Sequence, residues 1–167
     1  MTRGSVDAAP FCVCGVDPGL TGAIAFYFPA HPHLISVEDL PVVDHCLDAA
    51  TLAQRIEQMR PDLAIIESAG SRPGEGVASV FKFGDTCGAI RGVVAALKIP
   101  VHRVHSTKWK RHFRLSSDKE ESRARALDLW PASAHFSRKR DHNRAEACLL
   151  ARYGAEVVAR SHQPSNS

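Results

Sequence analysis

Residues 11–28, FCVCGVDPGLTGAIAFYF, contain two short apolar runs on either side of a turn. The first run, FCVCGVD, ends in the carboxylate of Asp17, and the dipeptide Pro18-Gly19 then marks the turn. The second run covers residues 23–28, and a third extended stretch follows at residues 34–40. Three such stretches in succession predict a three-stranded meander at the start of the fold.

Beyond the meander, helical patterns alternate with two more short apolar runs. The runs LAIIE at 63–67 and VHRV at 101–104 predict strands. Helices are predicted at residues 49–60, 81–97, 119–129 and 142–153. This order of elements indicates an α/β fold, a mixed five-stranded sheet flanked by helices.

The chain has 167 residues, of which 44% are hydrophobic and 23% are charged. This composition predicts one globular domain at residues 11–160, with flexible tails at 1–10 and 161–167. No window approaches the ~18 apolar residues of a membrane span, and the first ten residues lack the apolar stretch of a signal peptide. We therefore expect no membrane partner and a cytoplasmic location in a bacterial or phage-infected cell, or an organelle if the source is a plant.

The five cysteines include no CxxC pair. Such a set fits neither a disulfide framework nor a four-thiolate zinc site. All five are therefore expected to be reduced residues of the core.

Positive charge is concentrated in one region of the chain. Residues 103–144 carry twelve Lys or Arg and five Asp or Glu, a net charge of +7, and the rest of the chain has a net charge of −4. This asymmetry is typical of a protein that follows a phosphate backbone. The alternative interpretation is a solvated basic face.

Three carboxylates stand in otherwise apolar segments. Asp17 ends the first strand, Glu67 ends the fourth, and Glu146 lies within an apolar run of the last helix. Oxygen ligands from separate elements are what Mg²⁺ or Mn²⁺ requires, and two such ions can hydrolyse a phosphodiester. The structural alternative makes Asp17 a turn residue and Glu146 an ion-pair partner of Arg144 or of a nearby lysine.

Four longer stretches carry a family resemblance. They are GVDPGLTGAIAFY (15–27), AIIESAGSRPGEGVASVFKFGDTCGAIRG (64–92), HSTKWKRHFRLSSDKEESRARALDLWP (105–131) and DHNRAEACLLARYG (141–154). Together they resemble the RuvC-type Holliday junction resolvases, in particular the branch found in phages, bacteria and plant chloroplasts. The resemblance implies an RNase H-like fold, a homodimer, and paired, symmetric nicking of four-way DNA junctions with two Mg²⁺ or Mn²⁺ ions per site. It also implies metal ligands at Asp17, Glu67 and in the final motif.

The final motif departs from the commonest pattern of that family. Related enzymes often have an acid or a histidine three residues before the last carboxylate, where this chain has Asn143. His142 lies one helical turn before Glu146, so both side chains can face one metal ion. The ligands of this motif are ranked Glu146, then His142, then Asp141. Asn143 either coordinates through its amide oxygen or weakens the site.

Several basic residues have predicted roles around these acids. By its family position, Lys119 is expected near the scissile phosphate, where its charge would help catalysis; the alternative is a surface lysine paired with Glu120 or Glu121. Trp109 is expected to anchor a loop in the core while its basic neighbours hold the DNA backbone. The DNA-binding candidates are Arg72, Lys108, Lys110, Arg111, Arg123, Arg138, Lys139 and Arg140.

Small residues recur every four positions along the second predicted helix, at Gly84, Gly88, Gly92 and Ala96. Glycine costs about 1 kcal/mol in a helix interior, so this stripe indicates close approach of another backbone. The partner is either the sheet of the same chain or the same helix of a second subunit. Phe81 and Phe83 are expected in the core or in that interface.

The leading functional hypothesis is a structure-specific DNA endonuclease that resolves Holliday junctions as a homodimer. An RNase H-type or pre-ribosomal RNA nuclease is a second hypothesis, because the fold and the carboxylates would be shared. A third is a non-catalytic junction-binding protein, in which Asn143 marks a disabled metal site.

Overall fold

A computed structural model describes residues 9–68, 74 and 76–161. Five strands form one mixed sheet in the order β3-β2-β1-β6-β7. They are β1 (Val13–Asp17), β2 (Ala23–Tyr27), β3 (Ile35–Asp39), β6 (Leu63–Ser68) and β7 (Val101–His105). The predicted α/β fold with a five-stranded sheet is confirmed, including the antiparallel meander of β1, β2 and β3.

Helices cover both faces of the sheet. The longer ones are α1 (Ala49–Met59), α2 (Val77–Ala96), α4 (Lys119–Leu129) and α5 (His142–Tyr153), and the chain continues into a π-helix at Gly154–Val158 and α6 (Ala159–Ser161). Two single-turn 3₁₀ helices precede α5, at Ala134–Phe136 and Lys139–Asp141. The four predicted helices are therefore all present, although α2 begins at Val77 rather than at residue 81.

Alternation along β1 divides the interior into two cores. Val13 packs on one face of the sheet with α5, Trp109 and Trp130. Cys14 and Val16 point to the other face and pack with residues of α1 and α2, including Ile56 and Ile90. Both faces of the central strands are thus buried, as expected when helices cover a mixed sheet on both sides.

Besides the short helical turns around α5, the sequence did not predict a hairpin before α1 or a helix after β7. A short hairpin, β4 (Val42–Val43) and β5 (Cys46–Leu47), precedes α1. The basic run that was expected to form a loop is instead a helix, α3 (Ser106–His112), and the side chain of His105 accepts a hydrogen bond from the backbone N–H of Thr107 at its start. A helix of seven residues is too short for an apolar period to emerge among so many charges.

Three cysteines, Cys12, Cys14 and Cys148, are buried as expected. Cys46 is exposed on the hairpin, because β4 and β5 lie outside the main sheet, so the expectation of a core position is wrong for this residue. Within the described ranges, no helix is both long enough and apolar enough to cross a bilayer. The predicted tails fall largely on residues 1–8 and 162–167, which lie outside the described residues.

Candidate active site

Parallel pairing of β1 with β6 brings Asp17 and Glu67 to the same edge of the sheet. The two strands are in register with Val16 opposite Ile66, and each carboxylate is the next residue along its strand. The carboxyl ends of parallel neighbours meet at one edge, which is where α/β proteins place their ligands. The predicted convergence of these two acids is therefore confirmed.

Helix α5 brings Glu146 to the same place. It packs directly on β1 at Gly15, where a Cβ atom would overlap the backbone of Ala147 and Ala151. Only glycine permits this approach, since any side chain would push the helix away from the strand. The side chain of Glu146 is largely buried and lines a cleft together with Asp17 and Glu67.

The three carboxylates repel one another. Burial raises the pKa of Asp17 well above its ordinary value, and the charges of Glu146 and Glu67 raise it further. The pKa of Glu67 is also raised, first by burial and then by Glu146, although a hydrogen bond from Trp109 opposes the rise. Such crowding of like charges is common where a protein holds a cation or conducts catalysis.

Helix α3 contacts two of the three acids. The indole Nε1 of Trp109 donates a hydrogen bond to Oε2 of Glu67 at 2.8 Å, and the Nζ of Lys110 lies 3.0 Å from Oε1 of Glu146. The hydroxyl of Ser122 donates to the same Oε1 at 3.3 Å. Trp109 is fully buried, so its predicted role as a core anchor is confirmed.

The position of Lys110 differs from the sequence-based expectation. It was assigned to the surface that holds the DNA backbone, but its ammonium group is directed into the cleft and pairs with Glu146. Glu146 thus has a lysine partner, as the structural alternative proposed, whereas Arg144 pairs with Asp39 on β3. The sequence of this basic run does not reveal that Lys110 faces inward. Its partner, Glu146, is 36 positions away, so the contact depends on tertiary packing.

Lys119 also lines the cleft, at the start of α4. Its expected partners are engaged elsewhere: Glu120 pairs with Arg123, and Glu121 accepts a hydrogen bond from the backbone N–H of Ser116. The Nζ of Lys119 lies 3.4 Å from Nε2 of His142. This placement is compatible with the predicted role near a phosphate.

The ring of His142 is turned toward Lys119 rather than toward the acids. Its Nδ1 lies 3.1 Å from the carbonyl oxygen of Lys139, an arrangement in which Nδ1 donates and Nε2 accepts. His142 is not among the residues that line the cleft. The structure therefore does not bring it together with Asp17, Glu67 and Glu146, as its helical spacing from Glu146 predicted.

Asn143 lines the cleft, and Asp141 does not. The Nδ2 of Asn143 donates to the carbonyl oxygen of Thr21 at 2.6 Å, which ties α5 to the loop after β1. The buried carboxylate of Asp141 is held by Arg138, whose Nη2 lies 2.8 Å from Oδ1 and whose backbone N–H lies 2.8 Å from Oδ2. Glu146, ranked first, thus lies in the cleft with Asn143, whereas His142 and Asp141, ranked second and third, do not line it.

The cleft has a volume of about 1350 Å³ and a basic rim. Arg111 and Arg114 lie on its wall beside the hydroxyls of Ser106 and Thr107. Of these four residues, only Arg111 was singled out from the sequence. The continuation of the basic run to RHFR at 111–114, just past the end of α3, was the available signal for the other arginine.

The remaining DNA-binding candidates lie in different settings. Lys108, Lys139 and Arg140 are exposed. Arg123 is held by Glu120 and by the carbonyl oxygen of Phe136, and Arg138 is held by Asp141, so both have structural partners. Arg72 lies outside the described residues, as does most of the loop at 71–76.

Within residues 9–68, 74 and 76–161, no group of three or more His, Cys, Asp or Glu side chains is arranged to hold a metal ion. The ion pair with Lys110 and the hydrogen bond from Trp109 engage two of the three acids. The acids share the cleft without forming a compact cage.

Comparison with solved structures identifies the architecture. RuvC of Thermus thermophilus in complex with a Holliday junction substrate matches 91% of this chain and 97% of its own, with a TM-score of 0.64 and 15% identity. A second structure of Thermus thermophilus RuvC matches 89% of this chain and 97% of its own, with a TM-score of 0.61 and 15% identity. The chain has a RuvC-like fold.

The fold is shared beyond bacteria. The fowlpox virus Holliday junction resolvase matches 89% of this chain and 99% of its own, with a TM-score of 0.55 and 15% identity. No protein-family model and no curated protein matches the sequence. The likeness therefore concerns the course of the backbone, and the fold expected from the four sequence motifs is confirmed.

Proposed function

We propose that this protein is a Holliday junction resolvase, a metal-dependent endodeoxyribonuclease that makes paired, symmetric nicks in four-way DNA junctions. The observation that carries the proposal is the convergence of Asp17, Glu67 and Glu146 in one cleft of a RuvC-like fold. One structural neighbour with this fold was solved in complex with a Holliday junction substrate. The basic rim of the cleft is suited to a polyanionic ligand such as DNA.

The residues of the cleft fit a divalent cation in chemistry and in charge. Asp17, Glu67, Glu146 and the amide oxygen of Asn143 are hard oxygen donors, the type that Mg²⁺ and Mn²⁺ select. Their mutual repulsion, which raises the pKa of Asp17 and of Glu67, is what a bound cation would relieve. We propose that these four residues hold the metal, two ions in the full complement.

When bound, such ions activate a water molecule and stabilise the charge on the leaving oxygen of the phosphodiester. The protein's own cations would act on the phosphate. Lys119 and Arg111 line the same cleft as the acids, where they can neutralise charge on the phosphoryl oxygens. His142 would orient Lys119 through the contact between Nε2 and Nζ.

A wider basic surface would hold the DNA arms. The exposed side chains of Lys108, Arg114, Lys139 and Arg140 belong to the region of net charge +7. Phosphate contacts of this kind give affinity and orientation with little sequence choice, as recognition of a branched structure requires. Two active sites related by two-fold symmetry would cut opposing strands, so we propose that the active form is a homodimer.

Cleavage of a labelled synthetic four-way junction, with and without Mg²⁺ or Mn²⁺, tests the proposal. We expect symmetric nicks in two opposing strands, with products that a ligase can seal, and weak competition by linear duplex of the same sequence. Asp17→Asn is the control, because it should bind the junction without cutting it.

The same assay separates the alternatives. Cleavage of the RNA strand of a hybrid, with no preference for branched DNA, would identify an RNase H-type enzyme. Tight junction binding without cleavage in either metal would identify a binding protein. Equal cleavage of junction and linear DNA would contradict structure-specific recognition.

A further inference from the structure

Lys110 forms a nearly buried ion pair inside the acidic cleft. Its Nζ lies 3.0 Å from Oε1 of Glu146, and the two side chains are only 15% and 8% exposed. Taking a lysine ammonium out of water is costly unless a partner compensates, and an exposed basic rim would hold DNA without this burial. The inward position of Lys110 therefore calls for a function other than surface attraction of DNA.

The charge of Lys110 acts on all three acids. It touches Glu146 directly, and its field opposes the pKa rise of both Asp17 and Glu67. Lys119 contributes the same effect at Asp17 from the cleft wall. The negative charge of the cleft is thus partly offset from within by an ammonium group in contact with a proposed metal ligand.

Helix α3 fixes where this ammonium can go. The neighbouring residue Trp109 is fully buried and hydrogen-bonded to Glu67, so the backbone of α3 is anchored at the cleft. The four-carbon stem of Lys110 can rotate about that anchor, whereas the helix cannot leave. Rotation of this side chain can therefore separate the ammonium group from Glu146 and still leave it within the cleft.

We propose that Lys110 is an internal counter-cation that competes with the divalent metal ion for Glu146. The inference rests on the proposed function, since it assumes that Glu146 is a metal ligand. Glu146 would coordinate the metal ion, and the displaced ammonium group of Lys110 would pair with a phosphate of the DNA. Each of the two ligands would then favour binding of the other, because both break the same ion pair.

Titration of the DNA-free protein with Mn²⁺, followed by electron paramagnetic resonance and calorimetry, tests the competition. We expect Lys110→Gln to bind Mn²⁺ about tenfold more tightly than the wild type, because the ion no longer displaces a charge in contact with its ligand. Lys108→Gln is the matched control: it removes the same charge from the same helix at an exposed position, and its Mn²⁺ affinity should change much less.

A second variant and a second background complete the design. Lys110→Met keeps the apolar stem and should tighten Mn²⁺ binding in the same way if Lys110→Gln fails to fold. In a Glu146→Gln background, the Lys110 substitution should lose most of its effect, since the residue for which the two cations compete is gone and only the longer-range charge on Asp17 and Glu67 remains.

The outcomes distinguish this proposal from the proposed function. Mn²⁺ binding that is unchanged or weaker in both Lys110 variants would overturn the competition and leave the metal site standing. Absence of Mn²⁺ binding in the wild type and in every variant would overturn both. If Lys108→Gln raised the Mn²⁺ affinity as much as Lys110→Gln, the cause would be the overall charge of the protein, and the proposal would also be overturned.

Discussion

The indole nitrogen of Trp109 and the carboxylate of Glu67 are joined by a hydrogen bond of 2.8 Å between Nε1 and Oε2. The two residues come from different elements, α3 and the end of β6. A carboxylate that accepts a fixed donor loses rotational freedom and keeps more of its negative charge. Trp109 therefore holds Oε2 of Glu67 in place and restricts the directions in which the carboxylate can point.

Replacing Trp109 by phenylalanine should impair cleavage while the chain still folds. The ring remains apolar and aromatic, but the donor to Glu67 is removed, and loss of an outer partner of a metal ligand costs about 10–100-fold in activity or metal affinity. Single-turnover cleavage of a four-way junction and Mn²⁺ titration measure the two effects.

Trp130→Phe is the matched control for that experiment. Trp130 is also buried and also donates through Nε1, but its acceptor is the carbonyl oxygen of Pro32, away from the cleft. Both variants should lose similar stability, and only Trp109→Phe should lose cleavage. A comparable loss of cleavage in both would make the Trp109 effect a consequence of core packing.

Asp17→Asn should stabilise the protein in the absence of metal while it abolishes nicking. Burial and the charges of Glu146 and Glu67 raise the pKa of Asp17, so the ionised form destabilises the native state at neutral pH. Thermal unfolding in a chelator should show a higher Tm for the variant, by roughly 2–4 °C for each kcal/mol gained. The gain should shrink as the pH falls toward 3.8, the ordinary pKa of the group, because protonation removes the same charge. A lower Tm at neutral pH would contradict the repulsion among the three acids.

Asp141→Asn should destabilise the protein and leave junction cleavage intact. Burial alone would raise the pKa of Asp141, but the hydrogen bonds from Arg138 outweigh it and hold the pKa below 3.8. The ionised carboxylate therefore stabilises the fold at neutral pH, and this contribution is lost as the pH falls through the lowered pKa. Denaturant unfolding at neutral pH should show a loss of about 1–3 kcal/mol, with junction cleavage retained.

The control for the Asp141 substitution is Asp118→Asn. Asp118 caps α4 by accepting from the backbone N–H of Glu120, and asparagine caps a helix equally well, so stability should hardly change. Loss of cleavage in Asp141→Asn without loss of stability would return this residue to the list of metal ligands.

The sequence predicts those features of the fold and of the cleft that depend on local pattern. The apolar runs that end in Asp17 and Glu67 predict two strands, and parallel pairing of neighbours is enough to bring their ends together. Glu146 stands in an apolar run of α5, so its burial also follows from helical spacing. The five strands of the main sheet, the four long helices and the three acids of the cleft were predicted for this reason.

The contacts of α3 depend on long-range packing, and local pattern does not contain them. Trp109 and Glu67 are 42 positions apart, and nothing in the run KWKR distinguishes the inward-facing Lys110 from the exposed Lys108. His142 illustrates the converse error. Its spacing from Glu146 is suitable for a shared metal ion, but the carbonyl oxygen of Lys139 orients the ring toward Lys119.

Gly88→Leu should abolish self-association without harming the monomer. A Cβ atom at Gly84, Gly88 or Gly92 would have nothing within 4 Å, so the predicted stripe of small residues does not face the chain's own sheet. Phe81, seven positions before Gly88, lies on the same side of α2 and is 76% exposed, which leaves an apolar helix face open to a second copy of the chain. Leucine favours a helix by up to about 1 kcal/mol over glycine, so the monomer's Tm should hold or rise, while its side chain keeps two α2 helices from close approach.

Light scattering at micromolar concentration measures the association. It should report a dimer for the wild type and a monomer for Gly88→Leu. The control is Ala124→Leu, at an exposed position on α4, which should remain a dimer. A dimer in all three would place the interface elsewhere, and a monomer in all three would contradict the proposed homodimer.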